Sequence, residues 1–336
     1  MTAVRDVGIV VIGRNEGQRL VACIASLPPD IPCVYVDSGS SDGSCEHARE
    51  NGLMVVDLDM SIPFTAARAR NAGYRRLVLD HPDICFVQFI DGDCILDPQW
   101  LPHARQAMDV ETDVAIVFGR CRERFPEASI YNAQCDHEWD VPVGEVAACG
   151  GNAFVRREAF EAVAGYSDDM VAGEEPDMCV RLRAKNWRIR RIAGEMVLHD
   201  AALTRFAQWW RRSRRAGLAY AMHMSRHGDA SIPEWKGVMR RIMIWGAILP
   251  ALVIIGIIFA LFVYPYALLL SFGVLALYVF RYFRLVSRSL AQGDGWHYAA
   301  CNAGLMTLDK FAQFIGAATF WFQKLMGKQT KLIEHK

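Results

Sequence analysis

Charge gives this chain no external bias. Its 336 residues carry 37 Lys+Arg against 37 Asp+Glu, so no global field draws in nucleic acid or an acidic partner. The ten cysteines stand singly between Cys23 and Cys301, without a CxxC pair or a Cys/His metal spacing. Zinc-finger and thioredoxin-type motifs are therefore excluded, and reduced, mostly buried thiols are expected. Internal repeats, low-complexity tracts and a Pro/Ser-rich linker are missing as well, which argues against a solenoid. The opening MTAVRDVGIVVIGRNE lacks the long apolar stretch and small-residue cleavage site of an export signal. It reads as the first strand of a fold.

A local absence matters more. Residues 242–280 contain no charged side chain. As one helix they would run roughly 58 Å, far beyond a hydrocarbon core of about 30 Å. Broken near Tyr264-Pro265-Tyr266 they make two spans of roughly 17 to 21 residues, the length a bilayer requires. Arg240 and Arg241 precede the pair, and Arg281, Arg284 and Arg288 follow it. Basic residues on both flanks place both ends in the cytoplasm, with the hairpin in the inner membrane and the preceding domain on the cytoplasmic side. A buried hairpin of a soluble protein leaves so long an uncharged run unexplained. Further on, Leu305, Leu308, Phe311, Ile315, Phe322 and Leu325 recur at helical spacing among Asp309, Lys310, Lys324 and Lys328. They predict an amphipathic helix at the membrane interface, with a helix packed on the preceding domain or a third span as the alternatives. The expected divisions are a domain over 1–215, a connector over 216–240, a transmembrane pair over 241–283 and an interfacial segment over 284–336.

What fills the first part is alternation. Short apolar runs (DVGIVVIG, CVYVD, LMVVDL, CFVQFI) are separated by helical patterns (EGQRLVACIASL, CEHARENG, TAARARNAGYRRLVLD). This predicts an α/β domain with a mostly parallel central sheet covered on both faces. Ligands of such sheets bind beyond the carboxyl ends of the strands. Asn15, Glu16, Asp37, Asp91 and Asp93 all fall there.

Asp91-Gly92-Asp93 closes a buried strand. As turn residues the three would be ordinary, but in that crevice both carboxylates face a ligand. Hard cations such as Mg²⁺ or Mn²⁺ recruit one or two carboxylates plus substrate phosphates. A second acidic group, Glu174, Glu175 and Asp177, surrounds Pro176 at a helix start. Complementing the helix dipole accounts for part of it. A trio preceded by the flexible MVAG also suits a general base on a mobile loop.

Six motifs in register, VVIGRNEGQRL, VDSGSSDGS, ARNAG, FIDGDCILDPQWL, GGNAFVRREAF and GEEPDMCVRLRAKNWRI, resemble the family 2 glycosyltransferases over roughly residues 7–215. The resemblance implies the GT-A nucleotide-sugar-binding fold and inverting transfer from a nucleotide-diphospho-sugar, with a divalent metal on the diphosphate. It implies that Asn15, Glu16 and Asp37 face the nucleotide and that Arg70 lies near the diphosphate. Asp91 and Asp93 form the metal motif, with Asp93 ranked first as direct ligand and His199 as a third. The base motif, usually Glu-Asp, is Glu174-Glu175 here, making Glu175 the base. Asp37-Ser38 stands where many members have Asp-Asp. Gln208-Trp209-Trp210-Arg211 resembles the QxxRW motif, but Arg212 replaces its final tryptophan, so processivity is not implied. Arg211, with Arg212, Arg214 and Arg215, would hold the leaving diphosphate or face anionic headgroups. The implied acceptor is a lipid-linked or cell-surface glycan. The alternatives are a polyprenyl-phosphate acceptor, which needs no general base, and a catalytically silent scaffold.

Overall fold

The computed structural model describes residues 6–228, 232–328 and 330. It divides into two compact units, Met1–Pro126 with Cys135–Ala202, and Glu127–Gln134 with Leu203–Lys336.

The elements up to residue 199 are β1 (Val7–Gly13), α1 (Gln18–Ser26), β2 (Cys33–Asp37), α2 (Ser44–Glu50), β3 (Met54–Asp57), α3 (Ala66–Asp80), β4 (Phe86–Asp91), β5 (Cys94–Leu96), α4 (Trp100–Val110), β6 (Val114–Glu123), α5 (Ile130–Glu138), β7 (Gly144–Glu145), β8 (Ala153–Arg156), α6 (Arg157–Ala162), α7 (Glu174–Arg183) and β9 (Arg188–His199). The sheet runs β3-β2-β1-β4-β8-β6-β9-β5, with β7 on β9. Its first four strands are parallel, as the alternation predicts. The expectation of a mostly parallel sheet needs correction beyond them. β8 lies antiparallel to both β4 and β6, and β5 and β7 lie antiparallel to β9. The sheet is therefore mixed. β8, inserted between β4 and β6, runs against both, whereas β6 and β9 are again parallel.

β1 is apolar on both faces because it is covered on both: Val7, Ile9, Val10 and Val11 are fully buried. Helix α3 seats directly on it, since a Cβ added at Gly73 would stand 2.4 Å from Val10 Cγ1. Register does the rest. Gly13 pairs with Asp37 and Ile12 with Asp91, which brings the ends of β1, β2 and β4 to one edge of the sheet. All ten cysteines are free. Burial pushes the Cys23 and Cys94 thiols well up, so they act as small apolar groups.

The second unit is helical: α8 (Phe206–His227), α9 (Pro233–Met243), a π-helical segment Ile244–Ile248, α10 (Leu249–Phe262), α11 (Leu268–Ala291) and α12 (Trp296–Leu325). The boundary expected at residue 215 falls inside α8. A single 3-10 turn, Pro265–Ala267, separates α10 from α11, at the predicted break. Pro233–Phe262 and Pro265–Ala291 are long and apolar enough to cross a membrane. Ile254, Ile258, Phe262, Leu269, Phe272 and Phe280 are exposed along them.

Helix α12 packs through a different face from the one its large apolar residues mark. Leu308, Ile315, Phe322 and Leu325 are exposed, whereas Ala303, Ala312, Gly316 and Ala317 are buried. A Cβ on Gly316 would stand 1.9 Å from Arg214 O, and one on Gly217 would stand 1.9 Å from Gln313 O. Small residues thus let the α8 and α12 backbones touch, while Leu308, Ile315, Phe322 and Leu325 stay outward and only Leu305 and Phe320 among the large apolar side chains of α12 are buried.

Candidate active site

The loop after β1 is tied to the loop after β2. Asn15 takes a left-handed φ of 54°, donates its N–H to Ser40 Oγ (2.8 Å) and accepts from the Ser41 N–H (2.8 Å). Asp37 is buried and accepts from the Gly39 and Ser40 N–H groups (2.9 and 2.7 Å) and from Tyr35 Oη (3.0 Å). The Gly17 N–H donates to Asp42 (2.9 Å), and Glu16 pairs with Arg19 (2.8 Å). Both side chains singled out in the sequence, Asn15 and Asp37, therefore shape the loops at this edge with their own oxygens.

The centre of the site is a guanidinium. Arg70, on α3, is 2% exposed and meets three carboxylates: Asp91 Oδ1 at 2.9 Å, Glu174 Oε1 at 2.9 Å and Glu175 Oε1 at 3.2 Å. Arginine suits this post because its planar fork presents several donors in fixed directions. The carboxylates come from two places in the sequence. Asp91 ends β4, where its N–H donates to Asn152 Oδ1 (2.9 Å). Glu174 and Glu175 open α7 after Gly173, whose φ of 79° turns the chain into the helix. The backbone of Gly151 passes so close that an added Cβ would lie 2.3 Å from Arg70 Nη2 and 2.9 Å from Asp91 Oδ2. Three carboxylates against one guanidinium leave an excess of negative charge facing the crevice.

Burial first, and the neighbouring Glu174 carboxylate second, push the Glu175 carboxyl up to about 7, against the pull of Arg70. Its side chain is also more open than that of Glu174, 15% against 4% exposed.

Asp93 points elsewhere. β5 pairs with the end of β9, with Cys94 opposite His199. This sets Asp93 Oδ2 3.1 Å from His199 Nε2. Asp93, Cys94 and His199 bring three possible ligand atoms within 4.8 Å of one another. The indole of Trp139 lies 4.6 Å from the imidazole, centroid to centroid.

The structure thus gathers Arg70, Asp91 and Glu175 in one group and Asp93 with His199 in another, separated in sequence only by Gly92. Gly151, Asn152 and Trp139 carry no role in the sequence reading. Only the glycine pair before Asn152 could have flagged the first two. Arg211 lies exposed on α8 in the second unit.

The chain matches the Glycosyl transferase family 2 profile over residues 8–163 and the Glycosyl transferase family group 2 profile over residues 86–286. It is 26% identical over 245 residues to the pre-mycofactocin glycosyltransferase of Mycobacterium tuberculosis, covering 68% of this chain and 50% of that protein. It therefore spans about half the length of the curated relatives it matches. Among solved structures it resembles the mannosyltransferase PcManGT of Pyrobaculum calidifontis in complex with GDP-Man and Mn²⁺. The TM-score is 0.54 at 18% identity, over 96% of this chain and 88% of that one, a likeness of fold. With the second profile spanning more than half of its length, the chain belongs to glycosyltransferase family 2 and carries the GT-A type of α/β fold.

Proposed function

We propose that the protein is an inverting, metal-dependent glycosyltransferase that moves a sugar from a nucleotide-diphospho-sugar to a hydroxyl of a lipid-linked or cell-surface glycan. The observation that carries this reading is Glu175: a carboxyl held near 7, at the crevice, beside the carboxylate that ends β4. A general base works best when its pKa lies near the working pH.

The residues fit a divalent cation. Asp93 Oδ2 and His199 Nε2, 3.1 Å apart, stand at about the separation of neighbouring ligands around an ion with bonds of about 2.1 Å. The carboxylate suits Mn²⁺ or Mg²⁺, and an imidazole beside it favours Mn²⁺ over the harder Mg²⁺. Asp93 and His199 would hold the ion, and Asp91, the other carboxylate of the metal motif, is a further proposed ligand although its Oδ1 is held by Arg70. A bound ion there would offset the charge developing on the departing diphosphate.

The protein's own groups do the rest. The paired loops after β1 and β2, fixed by Asn15 and Asp37, form the nucleotide platform, with Glu16 beside them. Arg70 holds Asp91 and the two glutamates at one spacing and keeps their repulsion from spreading them. Glu175 accepts the acceptor's hydroxyl proton as the acceptor oxygen bonds to the anomeric carbon. The bond from that carbon to the diphosphate oxygen breaks, and the nucleoside diphosphate leaves with the electron pair.

The apolar pair α10 and α11 anchors the enzyme in the inner membrane, with the catalytic unit on the cytoplasmic side. Support comes from the exposed apolar surface of the pair and from the arginines at its two flanks. That surface also favours a second reading, transfer to a polyprenyl phosphate, whose acceptor oxygen is already ionised. One experiment separates them. A screen of nucleotide sugars with Mn²⁺ identifies the donor, and Glu175→Gln is then assayed with it. Loss of transfer with donor binding kept supports the hydroxyl acceptor. Full transfer supports the phosphate acceptor, and binding of no nucleotide sugar overturns both.

A further inference from the structure

Ion pairing divides the molecule unevenly. In the first unit Arg70, Arg120 and Arg181 pair with Asp91, Asp136 and Asp177, and half-buried Arg156, which pairs with no carboxylate among the described residues, donates to the Val114, Met108 and Glu111 carbonyls. In the second unit Arg241, Arg281 and Arg284 pair with no carboxylate among the described residues. Arg281, on α11, is half-buried. Its guanidinium lies 4.6 Å over the indole of Trp245 and makes one long bond, Nη2 to Met306 O at 3.4 Å. Its Nε is buried without any partner. A guanidinium offers five donors, and leaving them unused in a desolvated place is costly.

The neighbours make the charge worse. Arg241 and Arg284 are close enough to repel Arg281, and the one acidic group that attracts it is Asp309. Asp309 is already taken by Lys310, 3.1 Å away. Four cations therefore gather around one carboxylate. The place is also particular: Arg281 is the first charged residue after the uncharged run 242–280. Phe280 and Arg284 are four residues apart, hence on one face of α11, and both are exposed. A ligand fitting this surface has an apolar body to lie along Phe280 and an anionic head to meet the arginines. Arginine forks match phosphate oxygens in particular, and basic pockets beside membrane helices take anionic headgroups.

We propose that Arg241, Arg281 and Arg284, with the face of Trp245, form a binding site for the phosphate of an anionic membrane lipid. The site rests on the membrane reading given above and adds to it a specific headgroup contact. It also gives the three arginines a role beyond setting topology, which requires their charge but no unpartnered, desolvated guanidinium.

The test uses the full chain purified in detergent and incorporated into phosphatidylcholine vesicles with or without phosphatidylglycerol. Lipids that stay bound on re-extraction are counted by native mass spectrometry. The wild type should retain phosphatidylglycerol over phosphatidylcholine by about tenfold. Arg281→Gln with Arg284→Gln should bring the ratio to parity while Mn²⁺-dependent nucleotide binding stays unchanged, which shows that the catalytic unit is intact. An unchanged ratio in the variant, or no preference in the wild type, overturns the site. Displacement of the lipid by millimolar glycerol phosphate, bound as tightly in its place, overturns it in favour of a soluble phosphate ligand. A protein that stays in the aqueous phase with vesicles of either composition contradicts the membrane reading itself. Insertion without headgroup preference contradicts only the arginine site.

Discussion

Arg70 Nη2 lies 2.9 Å from Asp91 Oδ1 in a site where both partners come from elements on the same parallel half of the sheet. The other nitrogen of the fork, Nη1, serves Glu174 and Glu175. One side chain therefore sets the distance between the carboxylate that ends β4 and the proposed base.

Removing that fork leaves three carboxylates facing one another with no counter-charge. Arg70→Met should destabilise the protein by about 3 to 5 kcal/mol, the usual cost of breaking a buried pair. Chemical denaturation of the purified variant measures this. Arg70→Lys keeps a charge but cannot bridge the three partners, so it should recover only part of the loss. A variant as stable as wild type would mean that the carboxylates are neutralised in some other way.

Gly151→Ala tests how closely the site is set. The new methyl would sit 2.3 Å from Arg70 Nη2, and the fork can yield only by giving up Asp91. Displacement of a catalytic group by about 1 Å can cost about 100-fold in rate. Turnover should fall by 10- to 100-fold, with destabilisation of about 1 to 3 kcal/mol. Steady-state kinetics alongside a melting curve would separate the two effects.

The pH profile follows from Glu175. Its proton must be off before it can accept another, so kcat/KM should rise with pH along a limb centred near 7. Glu174→Gln removes a negative neighbour that raises this pKa, and the limb should move to lower pH. Arg70→Gln removes the positive neighbour that lowers it, and the limb should move up. A limb that stays put in both variants would assign the titration to another group.

His199→Ala should weaken Mn²⁺ binding by at least about tenfold, read by electron paramagnetic resonance of free Mn²⁺ without any turnover. Trp139→Ala removes only the ring packed on that imidazole and should give a smaller loss in the same assay.

In the helical unit, Gly316→Val puts a branched side chain where a Cβ alone would be 1.9 Å from Arg214 O. Backbone cannot give way as a flexible side chain can. Separation of α8 and α12 should cost about 3 kcal/mol or more, seen as an early thermal transition in detergent.

Much of this was legible in the sequence wherever periodicity is strong. The β1 to β4 strands and their helices follow from alternation, and the hairpin follows from an uncharged run with a proline at its turn. Less legible was anything set by long-range pairing. β8 reverses direction between β4 and β6, and no local pattern in AFVR distinguishes a parallel strand from an antiparallel one. The same limit applies to α12, where of the marked apolar residues Leu305 is buried but Leu308, Ile315, Phe322 and Leu325 are exposed, and the close contact went to Ala312, Gly316 and Ala317. Within the site, Asp91, Asp93 and Glu175 were legible as carboxylates at strand and helix ends. Their division into an arginine-held group and a histidine-paired one was not, because Arg70 and Asp91 lie 21 residues apart and Arg70 and Glu175 lie 105 apart.

The central claim is that the crevice holds a nucleoside diphosphate through a divalent ion bound at Asp93. The direct measurement is a thermal-shift titration of wild type and Asp93→Asn with a panel of nucleoside diphosphates, with and without Mn²⁺. The account predicts that at least one nucleotide stabilises the wild type only when Mn²⁺ is present, and that Asp93→Asn folds normally and loses the shift. Stabilisation that is independent of Mn²⁺ and unchanged in Asp93→Asn would contradict it.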